Sequence, residues 1–191
     1  MSFYKYARKQ FRAPDERMDS IWRQRLKKWR KENRMKRIEN PTRIAKARSL
    51  GYKAKPGVVM VRGRIRRGGR KRRLIPRGRR PKRSGRNKFT PKKNLKQIME
   101  ERVSRKYPNM EVLNSYPVAK DGIYKWFEHI LIDPSHPAVK KDDNYSKIVD
   151  QRGRAFRGKT SAGRSTRGLK NKGKGAEKMR PSNRANKRQA N

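Results

Sequence analysis

Cysteine is absent from the 191 residues, which excludes disulfides, zinc ribbons and thiol chemistry and is compatible with a reducing compartment. Long apolar runs are missing too. Those at 58–61 and 130–132 fall far short of the ~20 residues that a membrane span needs. The N-terminal residues 1–8 lack the apolar stretch and small-residue cleavage site of a secretory signal, and Asp15, Glu16 and Asp19 come early for an acid-poor transit peptide. Histidine is confined to His129 and His136, neither with a second His or Cys at ligand spacing, so both are read as structural and no metal site is expected. The most telling absence is local: between Glu39 and Glu100 there is no Asp or Glu, while 23 Lys or Arg occupy the same stretch.

Cations therefore dominate what is present. The chain carries 59 Lys or Arg against 15 Asp or Glu, a formal net charge of +44, with only 31% apolar residues. So little apolar matter supports one modest core, with much of the remainder extended until it meets a partner. Like charges at this density repel one another, so the sequence makes physical sense when an external polyanion neutralises it. The natural polyanion is nucleic acid.

Charge divides the chain more sharply than hydropathy does. The net is +9 over residues 1–39, +23 over 40–99, −1 over 100–150 and +13 over 151–191. The near-neutral island is expected to face its own core or solvent rather than phosphate. Three regions follow: a helical basic region at 1–57, an α+β core at 58–150 interrupted by a basic insertion at about 66–89, and an extended basic tail at 151–191. In the first, the spacing of Met18, Ile21, Trp22, Leu26 and Trp29 predicts a helix over 14–37, and Asn40-Pro41 opens another that Gly51 closes after Leu50. Residues 58–65 read as a strand. Thr90-Pro91 supplies an N-cap and N1 proline for a helix over 91–107 along Leu95, Ile98, Met99, Val103 and Tyr107. Strands at 110–116 and 123–132 form a hairpin around Lys120-Asp121-Gly122, and Asp133-Pro134 caps a short helix ending near Lys141. The fold class is thus α+β, a small antiparallel sheet packed by helices, with long irregular basic extensions.

The strongest binding signal is Arg66, Arg67, Arg70, Lys71, Arg72 and Arg73, continued by Arg77, Arg79, Arg80, Lys82, Arg83 and Arg86 among Gly and Pro. Arginine forks suit phosphate oxygens and exposed bases, and Gly and Pro keep such a thread out of a helix. A solvated import tract is the bland alternative; an internal position between strand and helix argues against it. The other candidate nucleic-acid contacts are Arg43, Lys46, Arg48, Lys53, Lys55, Arg62 and Arg64 upstream, and Arg154, Arg157, Lys159, Arg164 and Arg167 in the tail. Trp22, Trp29 and Trp126 read as packing residues rather than base platforms. Residues 153–160 fit the phosphate-loop pattern, with a Walker-B-like run at 130–133. The strand before and stable helix after that such a loop requires are missing, so a nucleotidase is rejected. Glu100-Glu101 and Asp142-Asp143 read as solvent-facing charge, and no nucleophile, base and oxyanion donor converge into an enzyme site.

The run from Pro41 through Lys55, Arg66 through Arg72, Val112 through Tyr116, Ile130 through Pro134, and Thr160 through Arg164 together resemble ribosomal protein fifteen of the archaeal and eukaryotic type, in order along nearly the whole chain. That resemblance implies a structural component of the large ribosomal subunit with no catalysis, a small α+β domain sending basic segments into 23S or 28S-type RNA. It implies large-subunit rRNA and neighbouring large-subunit proteins as partners and a cytoplasmic ribosomal location. It implies no membrane, small-molecule substrate or homo-oligomer, and no cofactor beyond structural Mg2+ carried by the RNA. A DNA-compacting chromatin protein is the rival reading. The basic residues lie in irregular segments rather than on one groove-fitting helix, and no helix-turn-helix, zinc-finger or heptad signature appears, which favours RNA.

Overall fold

In the computed structural model the described residues are 2–12, 16–70 and 90–176. Most of the basic insertion, 71–89, and the tail from 177 lie outside them. Among the described residues the order is α1 (Phe3–Arg12), α2 (Glu16–Lys31), β1 (Met35–Ile38), α3 (Ile44–Ser49), β2 (Val58–Arg66), α4 (Leu95–Lys106), β3 (Glu111–Lys120), β4 (Tyr124–Ile132), α5 (Pro137–Lys140), α6 (Asp143–Val149) and α7 (Ser161–Thr166). The strands form one antiparallel sheet in the order β1-β2-β4-β3. The expected α+β class holds.

The alternation of side chains along β2 and β4 gives the sheet two covered faces. On one, Val61, Ile65, Phe127 and Leu131 pack with Val112 under Met99 and Val103 of α4. Val61, Val103 and Leu131 have no exposed surface, each worth about 1.5–3 kcal/mol of apolar burial. On the other, Met60, Ile130 and Tyr116 meet Ala47 of α3 and Tyr52, and a smaller cluster joins Ile132 to Val139 and Tyr145. The tryptophans belong to this packing. Trp22, Trp29 and Trp126 contact one another in series at 5.7 and 6.2 Å, the first pair edge-to-face and the second tilted, and Trp126 is buried in the sheet.

Several expected boundaries shift for identifiable reasons. The helix expected to reach residue 37 ends at Lys31, because Met35 to Ile38 pair with Gly63 to Met60 and complete the sheet edge. The next helix starts at Ile44 rather than at Pro41, since Thr42 is held by the Glu128 carboxylate; Gly51 closes it as expected, at φ 98°. α4 is capped by Asn94, whose side chain accepts from the Gln97 amide at 2.8 Å, not by Thr90. His136 caps α5 with Pro137 at N1, and Asp133 instead closes a turn onto the Ser135 amide. Three helices were not anticipated, α1, α6 (capped by Asp142) and α7. α1 lies along α3 with Arg43 over Phe11 and Arg48 over Tyr4, and α7 stands in a segment expected to be wholly extended.

His129 of β4 sits between Val61 and Ser115 beneath α4, fully buried, and neither ring nitrogen has a hydrogen-bond partner among the described residues. Burial, aided by the nearby Lys96 charge, pushes its pKa down to about 3. The unfolded chain therefore binds a proton near pH 6.5 that the folded chain refuses, so stability is full above that pH and falls as pH drops towards 3. This term is expected to remove about 3 kcal/mol by pH 4. Denaturant unfolding of the parent and of His129→Leu across pH 4–7 measures it: the variant should lack this loss, and parallel curves would assign the acid sensitivity elsewhere.

Candidate nucleic-acid interface

With so few acids, where each one sits decides how the cations are displayed. Glu128 of β4 is buried and accepts from the Thr42 backbone N–H at 3.1 Å, from the Thr42 hydroxyl, and from the Tyr116 hydroxyl at 2.5 Å, fastening the chain before α3 to the sheet. Glu100 of α4 is equally buried and accepts from the hydroxyls of Ser115 and Thr160, the latter at 2.5 Å. Burial pushes both carboxyls above the usual range, against the opposing pull of those hydroxyl donors. Glu111 receives the backbone N–H groups of Gly153 and Arg154 at 2.8 and 3.1 Å. At the periphery, Asp121 pairs with Arg30, Glu101 with Lys93, and Asp142 with both Lys53 and Lys55.

The expectation that Glu100 and Glu101 face solvent is thus corrected: both are buried, because hydroxyls from β3 and from the segment before α7, and the Gln97 and Lys93 side chains, supply the donors. The near-neutral island changes character with them. Over residues 100–150 the exposed cations are Arg105, Lys106, Lys120, Lys140, Lys141 and Lys147, whereas the exposed acids are Asp143 and Asp150. Its outward face is cationic although its sum is not. Sequence reasoning missed these residues because counting charge by segment weighs buried and exposed groups alike.

The sequence-predicted residues fall into distinct environments. Arg62 lies 4.1 Å over the Trp29 ring and pairs with Glu32 at 2.6 Å; although burial opposes it, this pair together with the Lys36–Glu32 pair holds the Glu32 carboxyl below its ordinary pKa. Arg64 lies 4.7 Å over Tyr124 and donates to the carbonyl of Arg30. Arg43 donates to the Pro117 carbonyl at 3.1 Å, Arg67 to that of Asp121, and Arg48 to the Tyr4 hydroxyl. Half-buried Arg154 reaches Gln151 at 2.6 Å. These guanidinium groups brace the fold. Arg48 and Arg67 among them are nonetheless exposed, as are Lys46, Arg66, Arg157, Lys159, Arg164 and Arg167, and Arg70 is partly so. Lys71, Arg72, Arg73, Arg77, Arg79, Arg80, Lys82, Arg83 and Arg86 lie outside the described residues.

The phosphate-loop lookalike has a different task. The Gly153 and Arg154 amides that would cradle a phosphate are occupied by Glu111, α6 rather than a strand precedes them, and α7 has only six residues. A Cβ at Gly163 would fall 2.5 Å from the Gly158 backbone, so the segment folds back on itself through a glycine contact that no side chain would permit. Thr160 is the pin: its hydroxyl donates to Glu100 and accepts from the Gly163 amide as the cap of α7.

Thr160→Val keeps the shape while removing the cap and leaving a buried carboxylate oxygen without its donor. The expected cost is roughly 2–4 kcal/mol in denaturant unfolding. Hydrogen exchange at 153–166 should accelerate well before exchange in β2 and β4; uniform acceleration across both would mean that Thr160 does not hold this segment separately.

Comparison with known proteins agrees with the resemblance drawn from the sequence. Residues 2–186 match the family Ribosomal L15. A Methanocorpusculum labreanum protein named "Large ribosomal subunit protein eL15" is 52% identical over 183 residues, covering 95% of this chain and 94% of its own. Proteins of the same name from Methanococcoides burtonii and Halobacterium salinarum are 53% and 50% identical, over 97% and 98% of this chain and 95% and 97% of theirs. A buried set of acids, an outward set of cations and similarity along almost the whole length converge: this chain belongs to the Ribosomal L15 family, whose members are structural components of the ribosome rather than enzymes.

Proposed function

We propose that the chain binds and stabilises folded 23S or 28S-type RNA as a structural constituent of the large ribosomal subunit, and so supports translation in the cytoplasm. One observation carries this reading: Glu100, Glu101, Glu111 and Glu128 are buried and Glu32, Asp121 and Asp142 are paired, while Lys46, Arg66, Arg157, Lys159, Arg164 and Arg167 stay outside with no carboxylate partner among the described residues. Outward cations on rigid elements neutralise phosphate without first having to be ordered. The relatives named as large-subunit proteins support the same assignment.

In this reading shape and charge dominate recognition, with the two-faced sheet as the rigid body and the basic segments reaching between RNA helices. Neighbouring large-subunit proteins complete the surroundings, and any Mg2+ belongs to the RNA. The chain acts as a single copy.

Affinity for large-subunit RNA should fall steeply as salt rises. Each lost phosphate contact should lower the logarithmic slope by about 0.7–0.9. Arg66→Gln and Arg164→Gln should each show that decrement, whereas Arg62→Gln, whose guanidinium serves Trp29 and Glu32, should lower stability and leave the slope nearly unchanged. A slope near zero for the parent, or tighter binding to duplex DNA than to the RNA, would overturn the ribosomal reading.

A further inference from the structure

Arginines from separate parts of the chain converge where α4 ends over the start of β1. Arg34 immediately precedes β1, and its carbonyl accepts from the Arg64 amide at 2.9 Å, placing it beside the far end of β2. Lys106 reaches the Met35 carbonyl at 3.4 Å, so the last turn of α4 stands over this edge, with Arg102 one turn earlier on the same side. Arg70 follows the end of β2. Arg105 lies 5.6 Å over the exposed ring of Phe156.

Among the described residues no carboxylate pairs with Arg34, Arg70, Arg102 or Arg105. Arg102 is half-buried, and its guanidinium is held below its ordinary value by burial and then by the charges of Arg70, Arg34 and Arg105. A partly desolvated cation among three others is unfavourable unless an anion joins them. Lysine could shed its proton in such a place; arginine cannot, and its forked donors match phosphate oxygens.

We propose that Arg34, Arg70, Arg102 and Arg105 form a preorganised site for closely spaced RNA backbone phosphates, with Phe156 beside it offering a stacking face. The site rests on the RNA-binding reading and deepens it. It lies at the root of the basic insertion, where β2 ends, so phosphate seated here would set the point from which that insertion departs.

The full chain tests this with inorganic pyrophosphate and with large-subunit RNA. Millimolar pyrophosphate should raise the parent's unfolding temperature by about 3 °C or more. Arg102→Gln should lose at least half of that shift, and Lys147→Gln on α6 should keep it. Without added anion, Arg102→Gln should be at least as stable as the parent, because the repulsion is relieved. With RNA, Arg102→Gln should lower the salt slope by about 0.7–0.9 and Arg34→Gln combined with it by about twice as much. A parent slope that stays steep and is untouched by either variant overturns the site alone. A parent indifferent to salt overturns the RNA-binding reading, and the pyrophosphate measurement still decides whether the four arginines bind phosphate. A poly-glutamate peptide that stabilises as well as pyrophosphate would show that the cluster reads charge without phosphate geometry, and the proposal falls.

Discussion

The structure depends on where a very small number of carboxylates sit. A chain with 59 basic residues and 15 acidic ones cannot neutralise its surface by pairing, so the acids do more by holding segments than by cancelling charge. Glu128 binds Thr42 and Tyr116, Glu100 binds Ser115 and Thr160, and Glu111 binds the amides of Gly153 and Arg154. Thr42, Thr160 and the Gly153–Arg154 turn are thereby tied to the sheet or to α4 from outside the hairpin. Removing a donor would leave an uncompensated buried carboxylate, which is costly, so these contacts specify one arrangement even where their net stabilisation is modest.

Aromatic rings perform the complementary task for the cations. Arg62 over Trp29, Arg64 over Tyr124 and Arg43 over Phe11 are held by ring faces as well as by hydrogen bonds. Such contacts contribute about 0.5–2 kcal/mol each, increasing with desolvation. They also explain how strands so rich in arginine pack at all. The flat guanidinium groups of Arg62 and Arg64 on β2 cover Trp29 and Tyr124 on one face, while Val61 and Ile65 fill the core on the other. Arginine in β2 is thus part of the fold before it is part of any interface.

The hairpin, α4 and the packing role of the tryptophans were legible because each is written in local periodicity or in turn residues. β1 was not. Met35 to Ile38 follow a strong helical pattern, and what makes them a strand is pairing with β2, some twenty-five residues downstream. α7 was hidden for a similar reason: Ser161 to Thr166 has poor helix formers, and the helix exists because Thr160 caps it and Glu100 anchors the cap. The basic character of the candidate interface was plain from composition. Which cations brace the fold and which face outward was not, since Arg62 and Arg66 differ little in sequence context yet one lies on Trp29 and the other in solvent.

The burial of Glu100, Glu101, Glu111 and Glu128 also changes what net charge means for this chain. An exposed cation acts on its surroundings over about a Debye length, ~8–10 Å at ordinary salt. A carboxylate enclosed by hydroxyl donors under α4 or between strands lies further from that surface and contributes less to the field there. Arg105, Lys106, Lys140 and Lys141 therefore belong to the same outward electrostatic surface as the acid-free stretch, although their segment sums to −1. The division into a cationic frame and a neutral island holds along the chain but not in space. Folding turns Glu100, Glu101, Glu111 and Glu128 inward and leaves six of the island's bases outward against two acids, so that the folded body, and not only its extensions, meets a polyanion with positive charge.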